Sequence, residues 1–222
     1  MKKMTTLVTC VALLAAAPTL ASQWGGHHGT IYLSIDSTDA VVSVAGSPAL
    51  GEMGVVVDVS AVLTDLDPLL QDGERVLAVG GFEMKLGIEG ADDARVLEKT
   101  ITVKHLDLSE DPTGCVVGLF PDLGLADGSA VLVTWKVLVP GEAKPVKFVL
   151  DPGGVQSCAD LEGCDGSGTL ALWSGSMQAR QHGLLFSAGY VPAYLNWDGE
   201  KDLTPVRGKT DWQDTGLFTL AD

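Results

Sequence analysis

The sequence predicts an all-β fold, an antiparallel β-sandwich of jelly-roll type with about nine strands, and three observations predict it. Short runs rich in Val, Ile, Leu and aromatic residues recur from Thr30 to Ser187. Clusters of Gly, Pro, Asp and Ser separate them, which is the punctuation of hairpins and short connections. No long run carries helical periodicity with caps at its ends. The one candidate helix, Val62 to Leu70, is interrupted by Pro68 and reads as a loop or a single turn.

The chain has 222 residues and opens on an export signal. Lys2 and Lys3 supply the positive start, Leu7 to Ala17 the apolar run, and Pro18-Thr19-Leu20-Ala21 a small-residue exit. Residues 1–21 are therefore expected to be removed after Ala21, taking Cys10 with them. The apolar run is shorter than the roughly 20 residues a permanent span requires, and no later stretch approaches that length. The expected destination is the periplasm, the cell surface or the medium, with no membrane span.

Residues 22–29, Ser-Gln-Trp-Gly-Gly-His-His-Gly, read as a flexible Gly/His leader. Residues 30–189 read as the sandwich, and residues 190–222 as a C-terminal extension packed on it. The expected strands after Thr30 are Ala40 to Ala45, Met53 to Leu63, Arg75 to Glu89, Ala94 to His105, Cys115 to Phe120, Ser129 to Val139, Val146 to Leu150, Gly168 to Trp173 and Gly183 to Ser187. Alternation is clearest at Phe82, Met84, Leu86 and Ile88, predicted to face the core while Glu83, Lys85, Gly87 and Glu89 face water. Val131, Val133, Trp135, Val137 and Val139 make a second inward set. No period of 20 to 50 residues recurs, which disfavours a propeller or solenoid.

Lys and Arg total 14 against 29 Asp and Glu, and removing Lys2 and Lys3 leaves 12 basic residues and a formal charge of −17. A field of that sign repels nucleic acid and anionic lipid. Plain solubility outside the cell accounts for it without any specific cation. Three cysteines survive cleavage, and export permits disulfides. Three pairings are conceivable. Cys158 to Cys164 is favoured because Ala-Asp-Leu-Glu-Gly between them is short, polar and loop-like, which leaves Cys115 as a small buried hydrophobe. A site of three thiolates has neither a C-x-x-C pair nor a neighbouring His to support it.

Two segments resemble a known family. Val79-Gly80-Gly81-Phe82-Glu83-Met84-Lys85-Leu86-Gly87-Ile88 followed by Ala94-Arg95-Val96-Leu97-Glu98 is similar to the cohesin pattern in which a "GFEF" strand precedes a short "x-V-L-E" strand. Ser129 to Val137 resembles the later cohesin strand ending in "F-K-V", and Gly51 to Leu63 the strand that opens such domains. The likeness covers roughly Gly51 to Leu150. It implies a nine-stranded jelly roll that binds a calcium-loaded dockerin helix pair.

Catalytic patterns fit poorly. Ser167 and Ser174 lack the flanking glycines of a nucleophile elbow. His27, His28, His105 and His182 form no H-E-x-x-H pair. No enzyme and no cofactor are expected. Asp160, Glu162 and Asp165, around the Cys158 to Cys164 loop, are the best calcium candidates, although most acidic turns of this kind are simply solvated. Trp197, Trp212 and Tyr194 are the candidate ligand-binding aromatics, because a pyranose ring presents C–H groups to a π-surface; packing is the commoner use of such rings. The expected role is a secreted, non-catalytic binding or assembly module with an extracellular protein as partner; the alternatives are a glycan-binding module and, third, a secreted hydrolase.

Overall fold

The computed structural model describes residues 27–39, 44–45, 54–64, 78–125, 128–141, 145–151, 171–174 and 185–206. These residues form strands and connections, with no helix among them. In chain order the strands are β1 (His27–Ile35), β2 (Val44–Ala45), β3 (Val55–Thr64), β4 (Ala78–Glu89), β5 (Arg95–Thr100), β6 (His105–Asp107), β7 (Gly114–Gly124), β8 (Ser129–Val139), β9 (Val146–Leu150), β10 (Ala171–Ser174), β11 (Leu185–Val191) and β12 (Ala193–Leu195).

They build two antiparallel-dominated layers. One sheet runs β5-β8-β3-β1-β11, and only the β1–β11 contact in it is parallel. The other is organised on β4. Residues Ala78 to Lys85 pair with β7 on one edge, while the opposite edge pairs with β10 through Val79 to Glu83 and with β9 through Leu86 to Glu89. Strand β6 extends this sheet beyond β7, and β12 and then β2 extend it beyond β9. Strand β10 also pairs with β11, which links the two sheets.

The predicted alternation explains why the layers close. Ile31, Leu33 and Ile35 of β1, Val57, Val59 and Leu63 of β3, and Val133, Trp135, Val137 and Val139 of β8 all face inward and are buried. From the other sheet Phe82, Met84 and Leu86 of β4, Cys115, Val117 and Leu119 of β7, and Val146, Phe148 and Leu150 of β9 join the same cluster. Successive side chains alternate between the faces of a strand, so these i, i+2 sets supply one continuous apolar layer. Burying each large side chain contributes roughly 1.5–3 kcal/mol.

Four expectations are corrected. Glu83, expected to face water, is only 3% exposed, at an interior position of the sheet where β4 is paired on both edges, with Val116 of β7 and Ala171 of β10. The run from Ala94 to His105 is not one strand: β5 ends at Thr100, and the chain crosses from the sheet that contains β8 to the sheet that contains β7 before β6 begins. Residues 27–29, expected to belong to the leader, lie in β1, which starts at His27 in register with Ser187. The boundary at residue 190 falls inside β11, and β12 beyond it is buried throughout, so the sandwich continues to Leu195.

Candidate docking face

Strand β6 is little buried. His105 and Leu106 are exposed and Asp107 is intermediate, so no residue of this strand enters the core. It pairs with β7 in the register His105 to Leu119, Leu106 to Gly118 and Asp107 to Val117. The pairing extends past both ends, where the Phe120 N–H donates to the Lys104 carbonyl at 2.8 Å and the Leu108 N–H to the Val116 carbonyl at 2.9 Å.

This register places Leu106, Leu108 and Phe120 on one face of the β6–β7 ribbon. Leu106 lies opposite Gly118, and Phe120 is two residues from Gly118 on the same strand, hence on the same side. The Phe120 ring leans over Gly118: its Cε2 lies 3.8 Å from the point where a Cβ at Gly118 would sit. Leu106 is 55% exposed, Leu108 66% and Phe120 57%. A single exposed Leu is ordinary, whereas large apolar side chains side by side form a patch of the kind used for association.

The loop that carries Leu108 is fixed from within and from both sheets. Asp107 Oδ1 accepts the Ser109 N–H at 2.9 Å and the Val116 N–H at 3.3 Å. Asp111 Oδ1 accepts the Thr113 N–H at 2.9 Å and its hydroxyl at 2.8 Å, and the Ser109 hydroxyl donates to the Asp111 carbonyl at 3.1 Å. Lys85 Nζ of β4 lies 3.1 Å from Asp111 Oδ2. Lys99 Nζ of β5 lies 2.6 Å from Asp107 Oδ2 and donates to the Gly114 carbonyl at 2.5 Å.

Electrostatics follow this geometry. Burial pushes the Asp107 carboxyl up, but the Lys99 hydrogen bond and charge, with the Ser109 and Val116 amides, outweigh it and hold the group below its usual value. The Thr113 amide and hydroxyl, helped by Lys85, lower Asp111 as well. Beneath the ribbon, Cys115 is 1% exposed and unpaired, and burial pushes its thiol up to about 12. That thiol is a packing group without nucleophilic character at neutral pH.

The residues singled out in the sequence fall elsewhere. Tyr194 is 2% exposed, and its hydroxyl donates to the Asp202 carbonyl at 2.9 Å, so it presents no face to a sugar. Trp197 is half-buried, its Nε1 donates to the Glu200 carbonyl at 3.1 Å, and its ring centroid lies 5.4 Å from that of Tyr194. Trp212, the expected Cys158–Cys164 pair and the acidic set Asp160, Glu162 and Asp165 lie outside the described residues. Among the described residues no three His, Cys, Asp or Glu side chains converge as a metal site. Sequence reasoning missed Leu106, Leu108 and Phe120. The available signal was Leu106-Asp107-Leu108, an alternation whose apolar members face outward, and it was hidden by reading Ala94 to His105 as a single strand.

Solved structures to which the chain is similar include cohesin modules. One is a module of a family 33 glycoside hydrolase from Clostridium perfringens, at TM-score 0.44 and 10% identity, covering 77% of this chain and 96% of that one. A non-cellulosomal cohesin from Archaeoglobus fulgidus matches at TM-score 0.38 and 10% identity, covering 76% and 89%. A type II cohesin domain from the cellulosome of Acetivibrio cellulolyticus matches at TM-score 0.38 and 12% identity, covering 77% and 96%. No family model matches the chain, and no curated protein does.

Proposed function

We propose that this chain is an exported, non-catalytic binding module that docks a protein partner on the face presenting Leu106, Leu108 and Phe120. The observation that carries the reading is the grouping of three large apolar side chains, each more than half exposed, on one face of a two-strand ribbon. Burying such a side chain against a partner contributes on the order of 1–2 kcal/mol, so three together form the centre of a modest interface. The sequence resemblance to cohesins implies an α-helical partner of dockerin type, whose apolar stripe would lie across this ribbon. The amino-terminal signal supports export. A glycan reading loses Tyr194, which is occupied in packing.

The test compares Leu106→Asp/Phe120→Asp with Val56→Asp, a control on the opposite sheet at a residue 47% exposed. Each is used to capture proteins from the medium and envelope of the producing cell, with mass-spectrometric quantification. A partner held by the wild type and by Val56→Asp, and lost from the double variant at unchanged melting temperature, supports the reading. The same captured set from all three contradicts it.

A further inference from the structure

Strand β6 has no apolar anchor. Leu106 and, just past the end of the strand, Leu108 are exposed, while Asp107 between them turns its side chain toward the body of the sandwich, where it is 15% exposed. A carboxylate therefore occupies the position where an edge strand would ordinarily insert a hydrophobe. Its partner comes from the other sheet: Lys99 belongs to β5, which pairs with β8. The Lys99 and Asp107 side chains are each 15% exposed, and Nζ and Oδ2 are 2.6 Å apart. Lys99 Nζ also reaches the Gly114 carbonyl at the start of β7, so one ammonium joins β5 to both strands of the ribbon.

We infer that Lys99 and Asp107 are positioning residues for the docking face, an inter-sheet clasp that holds β6 in register and thereby keeps Leu106 and Leu108 beside Phe120. This inference rests on the docking role proposed above. Three paired positions and no buried apolar side chain give β6 little to hold it, and elements with few apolar contacts open locally at far lower free energy than the core. A shielded, charge-assisted pair is stronger than a surface one, and losing one member leaves the other charge uncompensated. The second ion pair at this loop, Lys85 with Asp111, has side chains 36% and 47% exposed, so solvent screens it and it does not replace the clasp. The inward charge also blunts the edge of the sheet against non-specific strand pairing, which would let an apolar face exist there without indiscriminate aggregation.

The test uses the full chain in wild-type, Lys99→Met and Asp107→Asn forms. Met keeps the stem of Lys99 without its charge, and Asn keeps an acceptor for the Ser109 and Val116 amides while removing the ion pair. Hydrogen exchange at the Leu108 amide is read beside exchange at Val59 and Trp135 in the core, and partner capture is measured in parallel. The expected result is at least tenfold faster exchange at Leu108 in both variants, unchanged exchange at Val59 and Trp135, and capture reduced at least tenfold. Unchanged exchange at Leu108 overturns the clasp, whatever happens to capture. Faster exchange with undiminished capture overturns its link to docking. Undiminished capture by Leu106→Asp/Phe120→Asp instead removes the docking face itself, while the exchange result still decides whether the pair holds β6.

Discussion

The hydroxyl of Tyr194 donates to the backbone carbonyl of Asp202 at 2.9 Å, which ties the segment after β12 back onto the sandwich. Trp197 lies between them in sequence and turns its indole N–H to the Glu200 carbonyl, while Thr204 N–H donates to Asp202 Oδ1 at 2.9 Å. The antiparallel bridge between Tyr190 and Val206 closes the far end of the same segment. These rings act as fasteners. Tyr194→Phe removes a part-buried hydrogen bond and keeps the ring, so it is expected to cost about 1 kcal/mol. The urea midpoint is the measurement, and no change would mean that the Asp202 contact contributes nothing.

Gly54 precedes β3 with φ of 99°. A Cβ there would collide with the carbonyl oxygen of Val139, at the end of the strand paired with β3. Both the backbone conformation and the contact exclude a side chain, and the obstacle is backbone, which cannot swing away. Gly54→Ala is expected to destabilise by on the order of 2 kcal/mol. Chemical denaturation gives the figure, and a neutral result would show that this register is not fixed.

Cys115 offers a probe of core integrity. With its thiol buried and pushed up to about 12, it is expected to resist iodoacetamide in the native protein at pH 8 and to react on addition of denaturant. Peptide mapping follows this cysteine separately from Cys158 and Cys164. Rapid native labelling at Cys115 would mean that β7 does not seal the core.

Stability should fall in acid, with part of the slope assigned to Asp107. Its folded value lies below that of the unfolded chain, so the folded state binds fewer protons as pH approaches that range. The contribution is complete above about pH 5, since the unfolded carboxyl titrates near 3.9, and it is lost as pH falls through the lower folded value. Urea unfolding between pH 3 and 7 should therefore be flatter for Asp107→Asn than for the wild type. Parallel curves would show that this carboxyl contributes nothing to the acid dependence.

Much of the fold is legible because one face of nearly every strand is covered. The strands Ser129–Val139 and Val146–Leu150 have the expected bounds, since alternate side chains meet a buried face, but Val131, expected inward, is only partly buried because the β3–β8 register shifts there and Leu132 takes the buried place. Legibility fails where the environment of a side chain depends on neighbours distant in sequence. Nothing near Glu83 signals that its strand is paired on both edges, by β7 and β10, and nothing near Thr100 signals that the chain leaves one sheet for the other. The candidate docking face is illegible for a related reason. Leu106, Leu108 and Phe120 look like core residues in sequence, and only the pairing of β6 with β7, with Asp107 turned toward Lys99, reveals that they are exposed.

The central claim is that the outer face of β6 and β7 is the recognition surface, and site-specific photo-crosslinking in the producing cell tests it most directly. A photoreactive residue replaces Leu108 in one experiment and Val56, on the opposite sheet, in the other. The account predicts a discrete crosslinked protein from position 108 and none from position 56. Equal crosslinking from both positions, or a product only from position 56, would contradict it.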